Sequence, residues 1–182
     1  MDGIIFQRLD KKQHDRSSFD CQVQALNAFL CNMANQQQSK GLNSVYVAVN
    51  EIEEPPKKIY GYYAISANSL SFKNLPQEIS DKMPKNYPIP TVKIARLAKD
   101  KMAPKGFGST ILGMALRHAL ELSKELGIVG VDVDAKNQKA KDFYLKFGFI
   151  PLKNLHTSLF LPIAVIKKLM STIQAERSLE PV

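Results

Sequence analysis

Residues 91–133 read TVKIARLAKDKMAPKGFGSTILGMALRHALELSKELGIVGVDV, and this stretch decides the fold class. The β-branched residues of Thr91–Ala98 predict a strand. Apolar residues then recur at helical spacing through Gly106–Leu126, which predicts the longest helix of the chain. Ile128–Val133 follows as a nearly continuous apolar run, the pattern of a central strand that is covered on both faces. A strand, a long helix and a strand in succession are typical of a mixed α/β or α+β domain.

The flanking sequence predicts shorter elements on both sides of this stretch. Alternating and β-branched patterns predict strands at Ile4–Leu9, Ser44–Asn50, Ile59–Ser69, Phe149–Leu152 and Ser158–Leu161. Apolar periodicity predicts helices from an N-cap at Asp20 to Met33, at Glu78–Met83 and at Asn137–Phe147, and glycines at 41, 127 and 148 are expected to end helices. We expect one domain over residues 1–162, followed over residues 163–182 by a C-terminal helix, whose apolar face docks on the domain, and a frayed tail.

The composition favours a globular protein of the reducing cytoplasm. The 182 residues are 45% hydrophobic, no apolar run approaches the roughly 20 residues that span a bilayer, and the N-terminus lacks the features of a signal peptide. Cys21 and Cys31 are too few for a disulfide framework. The net charge of +8 favours a polyanionic partner such as RNA, DNA or a phosphorylated cofactor, although many proteins without such a partner are equally basic.

The segment Lys105–Thr110 (KGFGST) lies between a predicted strand and the long helix. The start of a helix carries unpaired N–H groups and the positive end of the helix dipole. Gly106 and Gly108 would let a phosphate approach the backbone closely, so the loop predicts an anion site. It is not a Walker A loop, because its lysine precedes the glycines, and it is not a dinucleotide fingerprint, because Ile111 replaces the third glycine. On these residues alone, a tight turn without a ligand is an equal alternative.

Several short motifs accompany this loop. In chain order they are Phe19-Asp20-Cys21, Tyr62–Ala67 (YYAISA), Tyr87–Pro90 (YPIP), Arg96–Ala98 (RLA), Gly106–Ser109 (GFGS), Val133–Lys136 (VDAK) and Phe143–Phe149 (FYLKFGF). The series runs from about Phe6 to Pro162 and resembles the GNAT-fold acetyltransferases. It is most similar to the branch of that family that serves as the toxins of toxin–antitoxin pairs.

The resemblance implies a GNAT fold, in which a mixed central sheet with splayed parallel strands is flanked by helices. It also implies acetyl-CoA as the acetyl donor, with no metal. The positions that match the family's cofactor site are Leu97, Ala98, Lys105, Gly106, Phe107, Gly108, Ser109, Asn137 and Phe143. The loop departs from the family pattern at Ala103, where Gln or Arg is usual, and at Pro104, where Gly is usual. Lys101 or Lys105 would supply the missing charge.

The resemblance further implies a catalytic role for Tyr144. Its hydroxyl would donate a proton or a hydrogen bond to the thiolate that leaves from coenzyme A. Phe143 and Phe147, four residues apart on one helix face, are the better candidates for the core, which leaves Tyr144 for the site.

The remaining polar residues are weaker candidates. Asp132 or Asp134 could face the cleft as a base, but a solvated position at a strand end is the more common outcome. Tyr60, Tyr62 and Tyr63 are expected to pack within their strand, with a place for Tyr62 or Tyr63 in the acceptor channel as the alternative. The three histidines have no metal-ligand spacing with one another or with the cysteines.

The toxin branch acetylates the α-amino group of the amino acid on charged tRNA. Lys93, Arg96 and Lys101 belong to a basic segment beside the proposed site and predict contacts with nucleic acid. An α-amine has a pKa of about 7.7–8.0, so part of it is neutral at cellular pH and a weak base or water suffices. The resemblance implies a ribbon–helix–helix antitoxin as a partner, and a homodimer stays open. The alternatives are a GNAT enzyme for a small amine or a protein N-terminus, and an acyl-CoA- or RNA-binding module without activity.

Overall fold

The computed structural model describes residues 3–85 and 87–177, with side chains described as far as residue 172. Its strands are β1 (Ile4–Arg8), β2 (His14–Asp15), β3 (Ser44–Asn50), β4 (Lys57–Lys58), β5 (Gly61–Leu70), β6 (Ile89–Lys99), β7 (Gly130–Asp134), β8 (Ile150–Leu152) and β9 (Leu155–Pro162). Its α-helices are α1 (Gln24–Ala28), α2 (Ala34–Ser39), α3 (Gln77–Ser80), α4 (Phe107–Leu122), α5 (Gln138–Leu145) and α6 (Ile163–Arg177). A π-helical turn, Phe29–Met33, joins α1 to α2, and a 3₁₀ turn, Phe72–Asn74, precedes α3.

Seven strands form one sheet in the order β1-β3-β5-β6-β7-β9-β8, and β2 and β4 form a separate parallel pair. β3 pairs with β1 and with β5 in antiparallel register, and β9 pairs in the same way with β7 and β8. The mixed α+β class is therefore confirmed, and each strand expected from the sequence occurs.

Contacts divide the chain into two compact units, and the first comprises Met1–Ser66 and Ile94–Ala115. Its core forms where apolar residues of β3 and β5 meet the first helices. The fully buried ring of Tyr62 packs edge-on against Phe19, with centroids 5.4 Å apart, and stacks on Phe29 at 6.0 Å. The Tyr62 ring thus contacts both phenylalanine rings, and these contacts fill the core between the sheet and the first helical segments.

The long helix α4 packs against β5 through a glycine. A Cβ atom on Gly61 would lie 2.4 Å from Cδ1 of Ile111 and 3.1 Å from the carbonyl oxygen of Ala98. Ile111 is fully buried, so its side chain has little room to move. The close approach at Gly61 therefore sets where α4 begins relative to the end of β6.

The second unit comprises Ala67–Lys93 and Leu116–Val182. Its apolar core contains Leu70, Leu75, Ile89, Leu152 and Phe160.

A buried carboxylate lies among the strands of the second unit. Asp132 is 1% exposed and accepts hydrogen bonds from the Thr91 hydroxyl at 2.6 Å and from the Asn68 side-chain amide at 2.9 Å. The expectation of a solvated strand-end position is therefore wrong for Asp132. Because these donors surround its oxygens, the charge can stay buried without a large penalty.

The first helix departs from its prediction. Asp20 does not cap it, because Gln22 adopts a left-handed backbone with a φ of 62° and α1 begins only at Gln24, without a side-chain cap. The helical segment also does not end at Met33, as the apolar pattern predicted. It continues through α2, since Ala34 packs fully buried in the core while polar side chains cover the outer face.

Other bounds shift by a few residues. α3 is shorter than expected, β6 begins earlier, at Ile89, and α4 ends at Leu122 before Gly127 is reached. The turns after α4 close through hydrogen bonds from Lys124 to Glu121 and from Glu125 to Leu122, at 3.0 and 3.2 Å. This shorter i-to-i−3 spacing tightens the chain before the glycine.

The C-terminal helix, α6, reaches Arg177. It therefore includes the first residues of the polar tail, which was expected to begin at Gln174. Ile166 is fully buried, as a docked face requires, whereas Val165 and Leu169 stay about 40% exposed. Residues 178–182 of the expected tail lie outside the described residues, and the domain bounds stay a prediction. No helix in the described part of the chain is long and apolar enough to cross a membrane.

Replacement of Gly61 by Ala should lower the free energy of unfolding by about 1–3 kcal/mol, the cost of adding a methyl group to a packed core. Ile111→Val removes the carbon that the new methyl would meet, so the double variant should recover part of the loss. Gly113→Ala on the same helix is the control, because a Cβ there meets no atom within 4 Å and should raise the stability by up to about 1 kcal/mol. Urea denaturation measures each variant, and a Gly61→Ala protein as stable as the parent contradicts this packing.

Candidate active site

In the first unit, the loop between β6 and α4 ends in a row of partly used amides. Gly106 has a φ of 89°, which favours glycine and turns the chain into the helix. The Phe107 N–H donates to Pro104 at 3.2 Å and the Ser109 N–H donates to Gly106 at 2.9 Å. The Gly108 N–H has no backbone partner within the described residues. An open amide at the positive end of a 16-residue helix favours an anion.

A buried carboxylate holds the entry to this loop. Asp100 is 2% exposed, and its oxygens accept the backbone N–H groups of Asp20 and Met102, each at 2.8 Å. Its own N–H donates to the Tyr60 carbonyl oxygen at 2.9 Å. In return, the Lys101 N–H donates to the Asp20 carbonyl oxygen at 2.8 Å. These reciprocal bonds, called the Asp100 clasp below, tie the loop to the segment before α1.

The lysines around the loop have different partners. The Lys99 ammonium donates to two carbonyl oxygens of the loop, one of them that of Ala103, at 3.2 and 3.1 Å. The Lys101 ammonium pairs with the Asp20 carboxylate at 3.0 Å. Lys105 is exposed and has no ion pair within the described residues. Of the two lysines expected to replace the missing charge, Lys105 is therefore the one whose charge stays available to a ligand.

Asp20 forms the outer half of the clasp. Hydrogen bonds, first from the Gln22 backbone and then from Lys101 and Asn27, lower the pKa of Asp20 to about 2. The carboxylate therefore stays charged at any physiological pH. The connection between Asp20 and Asp100 was missed in the sequence because the two residues lie 80 positions apart and no local pattern links them.

In the second unit, α5 carries Tyr144. The helix begins after Asn137, whose side-chain oxygen accepts the Ala140 N–H at 2.9 Å. Gly148, with a φ of 82°, follows the end of the helix as expected. The cap uses one acceptor site of the Asn137 oxygen, and both N–H groups of its amide nitrogen stay free, among the described residues, to donate to a ligand.

The order of burial on α5 is opposite to the one expected. Tyr144 is 9% exposed, whereas Phe143 and Phe147 are only half-buried, with their ring centroids 5.1 Å apart. The Tyr144 ring packs edge-on against Phe149 at 5.3 Å. The prediction that the two phenylalanines form the core and leave the tyrosine free is therefore wrong.

The hydroxyl of Tyr144 is nevertheless available. It has no hydrogen-bond partner among the residues that the structure describes, and burial raises the pKa of Tyr144 to about 12. A hydroxyl with this pKa stays protonated at physiological pH and can donate one hydrogen bond.

The three cations expected to bind nucleic acid all have internal partners. The Lys93 ammonium lies 2.5 and 3.6 Å from the two carboxylates of β7, those of Asp134 and Asp132. The Arg96 guanidinium lies over the Phe29 ring, 4.0 Å from its centroid, and Lys101 belongs to the clasp. Contacts with RNA through these residues would have to replace existing pairs.

The other polar candidates belong to the core. The Tyr62 hydroxyl donates to the Leu26 carbonyl oxygen at 2.9 Å, and Tyr63 stacks on Tyr46 at 5.3 Å. Both tyrosines are buried, and burial raises their pKa, so their expected packing within the strand is confirmed and the alternative of a channel is wrong. Within the described residues, no group of His, Cys, Asp and Glu side chains could hold a metal ion.

No protein-family model matches the chain. The chain is 29% identical over 174 residues to a probable toxin, TacT, of Sinorhizobium fredii, an alignment that covers 91% of this chain and 94% of that protein. It is 26% identical over 164 residues to a tRNA-acetylating toxin of Mycobacterium tuberculosis, with 88% and 95% covered.

Solved structures agree with these relatives. A Tyr-to-Phe variant of KacT is 31% identical, with a TM-score of 0.84 over 92% of this chain and 99% of that chain. AtaT in complex with acetyl-methionyl-tRNAfMet is 30% identical, with a TM-score of 0.83 over the same shares. A Tyr-to-Phe variant of AtaT bound to acetyl-CoA and the C-terminus of the antitoxin AtaR is 28% identical, with a TM-score of 0.79 over 93% and 99%. Likeness in sequence and fold over nearly the whole chain shows that it belongs to the family of GNAT-fold tRNA-acetylating toxins.

Proposed function

We propose that this chain moves the acetyl group of acetyl-CoA to the α-amino group of an aminoacyl-tRNA and thereby blocks translation. The observation that carries the proposal is the amide array at Gly106–Ser109, with the unpaired Lys105 beside it, in a relative of AtaT, which has been solved with acetyl-methionyl-tRNAfMet. The amides at Gly106–Ser109 suit a diphosphate. The AtaT structures with acetyl-CoA and with acetyl-methionyl-tRNAfMet indicate that this diphosphate is the one in acetyl-CoA and that the acceptor is an aminoacyl-tRNA.

Acetyl-CoA suits the loop better than a nucleoside triphosphate or a dinucleotide. No lysine follows the glycines to reach a γ-phosphate, and the buried Ile111 leaves no room for the close approach that a third glycine allows. The pyrophosphate would accept a hydrogen bond from the open Gly108 N–H and take its counter-charge from Lys105. Bonds from the Phe107 and Ser109 N–H groups would have to be shared with their backbone partners. The pantetheine arm would pair with β6 at Leu97 and Ala98, as an added strand does.

In this proposal Tyr144 acts on the leaving sulfur. An ordinary thiol has a pKa of about 8.5, well below the value of about 12 for Tyr144, so full proton transfer from the tyrosine to the thiolate is uphill. A hydrogen bond from the hydroxyl to the sulfur stabilises the developing negative charge without that transfer. The proton that completes the thiol then comes from the amine that has attacked. Phe143 and the Asn137 amide nitrogen stay proposed cofactor contacts.

The amine needs little help to lose its proton. The aminoacyl α-amine has a pKa of about 7.7–8.0, and water can remove the proton at cellular pH. His14, a conceivable base, is buried, and both of its ring nitrogens have partners: Nδ1 accepts the Asp10 N–H at 2.9 Å, and Nε2 lies 2.6 Å from the Gln7 amide. Burial also lowers the pKa of His14.

An antitoxin is the second proposed partner, because AtaT has been solved with the C-terminus of AtaR. The cytoplasm is the proposed compartment, since charged tRNA is found there and both cysteines are free. The alternatives are acetylation of a small amine or a protein N-terminus, and binding of acyl-CoA or RNA without catalysis. The available Tyr144 hydroxyl favours catalysis over binding alone.

Gly108→Val should weaken acetyl-CoA binding at least about 10-fold, because a side chain would stand where the phosphate approaches the backbone. Gly113→Val is the matched control. It makes the same substitution on α4, but its Cβ meets no atom within 4 Å and lies beyond the loop. Calorimetric titration with acetyl-CoA measures both variants, and equal affinities would disprove the loop assignment.

Tyr144→Phe should lower kcat by roughly 10²–10³-fold, the range for the loss of one hydrogen bond to a developing negative charge, while the acetyl-CoA affinity survives. Tyr60→Phe is the control, because it removes a hydroxyl that donates to Glu53 at 2.7 Å and should leave kcat unchanged. Initial rates at saturating acetyl-CoA and aminoacyl-tRNA give kcat, and near-parental turnover in Tyr144→Phe would reduce Tyr144 to a packing residue.

The pH profile of kcat/KM should have a rising limb and a plateau, without a falling limb. We expect kcat/KM for aminoacyl-tRNA to rise up to about pH 8 with the deprotonation of the amine and then to stay level to about pH 10, because Tyr144, with a pKa of about 12, remains protonated. Initial rates from pH 6 to 10 measure this profile. A falling limb below pH 10 that disappears in Tyr144→Phe would contradict the role given to its hydroxyl.

A further inference from the structure

A tRNA acceptor requires lysines or arginines that are free to meet phosphates. Lys93, Arg96 and Lys101 are engaged by Asp134, by the Phe29 ring and by Asp20. RNA contacts through these three residues stay a prediction that requires existing pairs to open, and the second unit offers further positive charge that the sequence did not suggest.

That surface is a groove of about 580 Å³ along the segment that precedes β6. Three exposed lysines line it: Lys73 on the 3₁₀ turn, Lys85 after α3 and Lys153 between β8 and β9. Asp81 is the one acidic residue among its lining residues, and the Gln77 amide already donates to that carboxylate at 2.5 Å. The lining is therefore positive, and we call it the lysine groove.

The walls of the lysine groove are tied together by hydrogen bonds. The Lys153 N–H donates to the Asn74 carbonyl oxygen at 2.8 Å, and its ammonium donates to the Gln77 side-chain oxygen at 3.1 Å. These bonds link the turn after β8 to the 3₁₀ turn and to α3. The ammonium groups of Lys73 and Lys85 have no ion pair or hydrogen bond within the described residues. Both charges are therefore available to a binding partner.

An exposed aromatic ring lies next to the groove. Tyr87 is 62% exposed and lines a cleft of about 300 Å³ that shares Phe72 and Lys73 with the lysine groove. Pro88 restrains the backbone directly after Tyr87, and the fully packed Ile89 begins β6. The ring is therefore exposed at the surface beside the lysine groove.

From this combination we infer that the lysine groove and Tyr87 bind the single-stranded end of the acceptor RNA. Lys73 and Lys85 meet its phosphates, and a base stacks on the Tyr87 ring. Free lysines interleaved with an exposed aromatic ring are the pattern of single-strand binding, because every base has a face that can stack. An acidic peptide could use the lysines, but it would leave the ring without a flat partner. The inference deepens the proposed function, on which it rests.

Direct binding of tRNA tests the inference independently of catalysis. In Lys73→Glu/Lys85→Glu, the Kd for fluorescently labelled tRNA should rise at least about 10-fold, and the slope of log K against log salt should become shallower by about 1.4, for two phosphates of a single strand. Lys167→Glu/Lys168→Glu is the matched control, with the same change of charge at two exposed positions of α6, and should bind like the parent. Lys73→Gln/Lys85→Gln removes the charges without adding acids and replaces the first variant if that variant does not fold.

The ring is tested separately. Tyr87→Ala should weaken binding by about 10-fold through the lost stacking, whereas Tyr87→Phe keeps the ring and should bind like the parent. Acetylation of methionine amide, an α-amine without a nucleotide, should be unchanged in every variant, because the groove contacts only the RNA.

Parental tRNA affinity and salt slope in both lysine variants would overturn the inference, and so would a parent protein that binds no tRNA. If Tyr87→Phe loses as much affinity as Tyr87→Ala, the stacking role is wrong. A parent protein that binds tRNA through the groove but acetylates no aminoacyl-tRNA would contradict the proposed function. The assignment of the groove would then still hold.

Discussion

Backbone amides bind a phosphate only when the chain that carries them is held in one conformation. Here the constraint is the carboxylate of Asp100. A buried charge that lacked hydrogen bonds would be very costly, so its two oxygens hold the N–H groups of Asp20 and Met102 in place. The path of the loop and that of the segment before α1 thus depend on each other. The close packing of Ile111 on Gly61 then sets where the helix starts. The Gly108 amide lies in the first turn of that helix, where N–H groups have no intrahelical partner, and it stays open.

The chemistry proposed for Tyr144 follows from its burial. A tyrosine in apolar surroundings has a raised pKa and keeps its proton, so it serves better as a hydrogen-bond donor than as a base or a freely exchanging acid. A neutral α-amine can attack without a strong base, and His14 is buried with both ring nitrogens engaged, so it is not free to take that role. Acceptor and catalytic residue are therefore matched: the reaction is suited to an amine of low pKa, and a lysine acceptor would be a poor substrate.

The sequence predicted what depends on local patterns and missed what depends on distant contacts. Periodicity located the seven strands of the main sheet and the long helix within a few residues, and Gly106, with its φ of 89°, marked the turn into α4. The part of this loop in cofactor binding stays a prediction. The clasp joins residues 80 positions apart. The local pattern therefore predicts only a helix cap at Asp20 and misses its contact with Asp100. The burial of Tyr144 depends on Phe149, which lies beyond the end of its helix, and no helical pattern on α5 reveals it.

The most direct test follows the acetyl group itself. The parent protein is incubated with acetyl-CoA labelled in its acetyl group and with charged tRNA, the ester bond is cleaved by mild base, and the released amino acid is analysed by mass spectrometry. We predict the N-acetyl amino acid as the labelled product, in amounts that follow the consumption of acetyl-CoA. Label on a protein lysine or on a small amine alone, or release of coenzyme A without any labelled amino acid, would contradict the assignment.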